Sequence, residues 1–219
     1  MKKPNGLEQM LLLSITFTIV LLLARIAYTG KLMYLFFAWN IFLAVIPVLA
    51  SRRLANYTSG NTKPWLLFML WLLFFPNAPY LVTDVFHFGE RPPAPVWFDL
   101  LLVISAAWNG LMLGIISLVQ AEAFLLRRLH SGAVRLIVGG CIVLCAFGVY
   151  LGRYLRFNSW DVVTNPLPLA GHIASRILHP FGHAGTWAFT FSFAALLWIA
   201  YGTVKQLTLY RVGGADNNN

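Results

Sequence analysis

Residues 64–87 read PWLLFMLWLLFFPNAPYLVTDVFH. Twelve apolar or aromatic residues open the stretch, and two prolines then flank Asn77, with Asp84 and His87 close behind. A run of about 20 mostly apolar residues is long enough to cross the hydrocarbon core. This one breaks its own helix before the end, because Pro76 and Pro79 each remove a backbone donor and crowd the preceding turn. A break at membrane depth leaves carbonyls that need partners from neighbouring helices, polar side chains or water. Such breaks are ordinary kinks, and they also build binding sites in transporters.

The surrounding chain has the same character. Of 219 residues, 59% are hydrophobic and 11% charged, where a soluble domain carries roughly 25% charged residues. Six apolar stretches are long enough to span: 10–28, 32–50, 64–84, 97–119, 134–152 and 186–204. The expectation is an all-α, polytopic membrane protein. It is a six-helix bundle with a kinked third helix, forming a single transmembrane domain over 1–209. Residues 210–219 have the composition of a disordered tail. Lys2 and Lys3 precede an apolar run too long for a signal h-region, so the first stretch reads as an uncleaved helix. The net charge of +9 lies between spans and forms no basic stripe, so nucleic acid is excluded as a partner.

Six spans put both termini on one side. That side carries ten of the lysines and arginines and the other carries six. The positive-inside rule then places both termini in the cytoplasm. The Asn77–His87 cluster and a second one, Arg153–Asp161, face outward together.

Asp84 and His87 sit at i, i+3, which makes them neighbours on a helix. Such a pair can act as acid and base or supply half a metal site; it serves equally as an interfacial cap. Asp99 opens the fourth helix on the same side, where the helix dipole favours a carboxylate, and it can complete a catalytic set with Asp84 and His87. Arg153 and Arg156 are one turn apart and precede Asn158, Trp160 and Asp161. Guanidinium forks suit phosphate and carboxylate, so these residues, with Asn77, are candidates for an anionic headgroup. Their structural alternative is an interfacial anchor. Contacts from Arg156 to Asp99 or Asp84 are expected.

Two stripes of small residues, Ala106-Gly110-Gly114 and Cys141-Cys145-Gly148-Gly152, read as packing seams that pair the fourth and fifth helices. Asn109 can hydrogen-bond across the bundle, and Glu122 reads as a solvated helix end. In the 5–6 loop, Asn165-Pro166 is a helix start. Leu169, Ile173 and Ile177 lie on one face of the helix that follows, with His172, Arg176 and His179 on the other. This is a short amphipathic helix at the interface, either a cover or a gate. No GxSxG, HExxH, P-loop or CxxC pattern is present.

Phe75–Asp84 with His87, and Gly152-Arg153-Tyr154-Leu155-Arg156-Phe157-Asn158-Ser159-Trp160-Asp161, resemble the signature of the bacterial membrane family known as domain of unknown function 1361. The resemblance runs from about the third span to the sixth. It implies an integral protein of the bacterial inner membrane and assigns no activity, cofactor or catalytic residue. From the residues, the leading expectation is a membrane protein with an outward polar site acting on a lipid or lipid-linked anion. The alternatives are a small transporter or flippase and a non-catalytic scaffold for lipid or a membrane-protein partner. Dimerisation could supply a transport path that one chain lacks. Substrate, metal and cofactor stay open at this point.

Overall fold

The computed structural model describes residues 6–55, 57, 62–89 and 91–216, with side chains described as far as residue 207. Its helices are α1 (Gly6–Thr29), α2 (Phe36–Ala55), α3 (Lys63–Phe74), α4 (Asn77–Tyr80), α5 (Val96–Leu126), α6 (Ser131–Leu155), α7 (Asp161–Thr164), α8 (Pro166–Leu178) and α9 (Ala184–Asp216). A 3-10 segment, Leu81–His87, follows α4. No strand occurs among the described residues. Six segments are long and apolar enough to cross a membrane: Gly6–Thr29, Phe36–Ala55, Lys63–His87, Val96–Leu126, Ser131–Leu155 and Phe181–Leu207. The protein is therefore a multi-pass bundle whose apolar outer surface meets lipid. The disordered tail expected over 210–219 falls on side chains, and on residues 217–219, that lie outside the described part.

The longest of the wholly described spans, α5, is the hub. It packs against α1, α2, α4 and the 3-10 segment. Its glycines make this possible: α5 and α6 do touch, as their spacing suggested, but the glycines of both stripes face the broken segment. A Cβ on Gly110 would overlap the Ala78 carbonyl oxygen and stand 2.5 Å from Leu81 Cβ. On Gly114 it would stand 3.0 Å from Pro79 Cγ. On the other side, Gly148 faces Pro76 Cγ at 2.7 Å and Gly152 faces the Tyr80 ring at 3.2 Å. The two seams clasp the broken segment 76–81 between them. Without side chains in the way, α5 and α6 let that irregular backbone enter the bundle and bury Ala78 and Leu81 completely.

The break itself is mild: the third span bends by 11°. Its loose carbonyls find partners. Asn77 Nδ2 donates to the Phe74 carbonyl at 3.0 Å, and Ser159 Oγ donates to the Leu73 carbonyl at 3.1 Å. Asn77 Nδ2 also donates to Ser159 Oγ at 2.9 Å. The second polar motif thus repairs the helix that the first one interrupts.

Polar contacts also dock α1. Asn109 Nδ2 donates to Thr18 Oγ1 at 2.8 Å, and Thr18 Oγ1 donates to Ser105 Oγ at 3.1 Å. At the end of the bundle opposite α8, Glu122 is not a solvated helix end. It is mostly buried and accepts from Lys205 Nζ at 2.6 Å, which ties α5 to α9. Cys141 and Cys145 are free thiols inside the packed core.

Candidate functional site

Two buried ion pairs and one apolar cavity occupy the end of the bundle that carries α8. The first pair joins the two sequence motifs. Arg153, near the end of α6, donates through Nη2 to Oδ1 of Asp84. It also donates through Nε to Thr83 Oγ1 at 2.9 Å and through Nη1 to His87 Nε2 at 2.8 Å. Its guanidinium carbon lies 4.3 Å from the centre of the Tyr80 ring. The other oxygen of Asp84, Oδ2, accepts from Asn40 Nδ2 of α2 at 2.9 Å. Asp84 is 1% exposed, and each of its oxygens has a donor. That satisfaction is what a carboxylate at membrane depth requires.

The chemistry of this cluster is fixed by its middle member. An arginine has no acceptor, so His87 Nε2 carries the lone pair and the proton of a neutral ring is on Nδ1. Asp84 and His87 are bridged by a guanidinium and do not bond to each other. The Arg153 fork is taken up by protein groups. Among the described residues, no three His, Cys, Asp or Glu side chains converge as metal ligands. His87 remains exposed at the surface, with Phe36 edge-on to its ring at 5.1 Å.

Asp99 belongs to the second pair. Arg25 of α1 donates through Nε to Oδ1 at 2.6 Å and through Nη2 to Oδ2 at 3.0 Å. Both side chains are 1% exposed. Arg25 also lies over the Tyr34 ring, 4.4 Å from its centre. Tyr34 sits in the turn between the first two spans, and burial pushes its hydroxyl above the ordinary phenol range. Arg25 thus supplies the partner of Asp99 that was expected to be Arg156, and Asp84 takes Arg153. Arg156 caps α6 in the left-handed region (φ 61°), with its side chain exposed and no ion-pair partner among the described residues.

The remaining candidates divide. Asp161 accepts from the Asn158 backbone N–H at 2.6 Å and from Thr164 Oγ1 at 3.1 Å, which closes the turn into α7. Trp160 packs edge-on to Trp39, with ring centres 6.4 Å apart. Asn77 and Asn158 line the cavity.

That cavity, of about 510 Å³, lies between α2, α3, α6, the start of α9 and α8. Ligand pockets commonly measure about 300–1,000 Å³. Its walls are apolar, with Leu43, Leu72, Phe147 and Trp187 among them. The amphipathic helix contributes Leu169, Ile173 and Ile177, the face anticipated from its sequence. Polar atoms enter from Asn40, Asn77, Tyr80, Asn158 and Ser159. Asn40 and Tyr80 belong to the cavity wall and to the Arg153 cluster at once. The chain belongs to the family described as protein of unknown function DUF1361. That family's model matches residues 39–200. No curated protein and no solved structure matches the chain.

The match starts inside α2, so α1 and its Arg25 lie outside the family's span, whereas both motifs, the cavity and α8 lie within it. Sequence reasoning passed over Arg25, Asn40, Tyr80 and Thr83. Asn40 had a usable signal: it is an amide in the middle of an apolar span, where polar groups need a reason. Arg25 is one of the six positive charges counted on the outward side, and nothing in its sequence neighbourhood names Asp99 as its partner.

Proposed function

We propose that this protein binds a lipid or lipid-linked amphiphile, with an acyl or isoprenoid chain in the apolar cavity and its polar end toward Asn40, Asn77, Asn158 and Ser159. The observation that carries the reading is the cavity itself: its lining is mostly apolar, takes in Asn40, Asn77, Asn158 and Ser159, and is bordered by an amphipathic helix. On the positive-inside count this end of the bundle faces outward, away from the cytoplasm. The Asp84–Arg153–His87 cluster then acts first as a clasp. It holds the 3-10 segment to α6 and so shapes the rim where the polar end sits.

The test is native mass spectrometry of the detergent-purified protein beside Val143→Trp and Ile173→Trp, which fill the cavity from two helices. The expected result is a lipid adduct on the wild type that is absent from both variants while their thermal unfolding stays close to wild type. A bare wild-type protein, or an adduct of equal occupancy in both filled variants, rejects the reading.

Chemistry on the bound headgroup is the second reading. It is favoured by one observation: His87 is exposed beside a buried carboxylate and held as an acceptor by Arg153. It predicts that Asp84→Ala and His87→Ala fail to complement a deletion although they are expressed at wild-type level. Full complementation by both rejects it.

A further inference from the structure

Arg176 was expected on the polar, outward face of α8. Instead it turns inward and is 7% exposed. Among the described residues no carboxylate pairs with it, which sets it apart from Arg25 and Arg153. Its Nη1 donates to the His172 carbonyl at 2.9 Å and lies 3.4 Å from His172 Nδ1. Its guanidinium carbon is 5.8 Å from the centre of the Tyr150 ring. Its Nε is buried and has no hydrogen-bond partner. A buried cation with no counter-charge and an unused donor is expensive. At a membrane edge such a group is retained for a ligand or a partner.

Its position says which. Ile173 and Ile177, either side of it on α8, line the cavity. Trp187, which also lines the cavity, donates its Nε1 to the Arg176 carbonyl at 3.1 Å. Arg176 itself does not line the cavity, but the free donor belongs to a residue flanked on α8 by two that do. We infer that Arg176 is the anion-binding residue of this site and takes a phosphoryl group, in place of the Arg153 and Arg156 pair. A turn of the side chain toward the cavity, giving up its His172 and Tyr150 contacts, would present Nε and one Nη as a fork. That fork matches two oxygens of a phosphate. The inference rests on the lipid-binding reading above and adds the charge class of its ligand.

The experiment uses the full-length protein, delipidated in neutral detergent, as wild type, Arg176→Gln and Arg176→Lys. Each is titrated with phosphatidylglycerol, with phosphatidylcholine, with diacylglycerol and with inorganic phosphate alone. Adducts are read by native mass spectrometry. Losing charge-assisted hydrogen bonds to phosphate is expected to weaken phosphatidylglycerol binding in Arg176→Gln on the order of tenfold or more. Diacylglycerol, which has no phosphate, should bind wild type and Arg176→Gln alike. Arg176→Lys, which keeps the charge and loses the fork, should fall between them. An Arg176-dependent adduct with inorganic phosphate alone assigns the site to a free phosphate; dependence only with the lipids assigns it to a headgroup. Both outcomes support the phosphoryl class. Equal phosphatidylglycerol binding by wild type and Arg176→Gln overturns the inference and leaves the cavity reading standing. Failure of every lipid to bind the wild type overturns both.

Discussion

Breaking the Arg25–Asp99 pair should cost more than deleting it. The two side chains share two short hydrogen bonds and are both 1% exposed. Arg25 Nη1 already has no partner. Asp99→Leu therefore leaves a whole guanidinium buried without counter-charge, and Arg25→Met leaves a buried carboxylate. Removing one partner of a buried pair typically costs about 3–5 kcal/mol, while replacing both with apolar groups of similar volume is often neutral or stabilising. The Arg25→Met/Asp99→Leu double variant should thus return to within about 1 kcal/mol of wild type, a coupling of several kcal/mol in the cycle. The assay is equilibrium unfolding in mixed micelles with increasing fractions of SDS, followed by tryptophan fluorescence. Additive losses, with the double variant the least stable of the three, would refute the reasoning. The cycle also separates two roles for Asp99. As a structural partner of Arg25 it should be dispensable in the double variant, whereas a catalytic Asp99 is lost for function in every variant that lacks it.

Three other outcomes follow from the same geometry. Gly110→Ala should destabilise by about 1–3 kcal/mol, since overpacking forces backbone shifts and the new Cβ overlaps the Ala78 carbonyl oxygen; Gly140→Ala, which meets nothing within 4 Å, should not, and equal melting temperatures for the two would contradict the wedge. Asn40→Ala removes the one side-chain donor to Asp84 Oδ2; leaving a buried carboxylate oxygen unsatisfied should cost about 1–3 kcal/mol, read in the same SDS titration, and no loss would show that water replaces the amide. Val163→Cys, at an exposed position in α7, should react with a membrane-impermeant maleimide in intact cells, and His130→Cys only after lysis; the reverse pattern would invert the bundle.

The six spans and the interfacial helix were legible because both rest on periodicity and length, which the bilayer and the helix impose directly. The proline break was legible for the same local reason. What the break packs against was not. Gly110, Gly114, Gly148 and Gly152 announce close approach without naming the partner, and the partner proved to be the broken segment itself. The charged residues were read correctly as a set gathered at one end and wrongly as pairs. Pairing depends on azimuth around each helix, and single-helix spacing does not fix the rotation of one helix against another. Arg153 and Arg156 are one turn apart in sequence, yet α6 ends between them: Arg153 points into the bundle, while Arg156 takes the left-handed cap and faces outward. Helical spacing puts Arg176 on the polar face with His172 and His179, yet its guanidinium is buried and lies toward the Tyr150 ring of α6, a contact that spacing within α8 does not reveal.

The most direct test of the account is photocrosslinking with a phospholipid that carries a diazirine near the end of one acyl chain, followed by peptide mapping. The account predicts saturable adducts on Leu144, Phe147 and Ile173. Excess unlabelled lipid should abolish them, and so should Val143→Trp, while Leu66 and Leu136 on the exposed surface are labelled weakly and without saturation. Even, non-competable labelling of cavity and surface alike would contradict it.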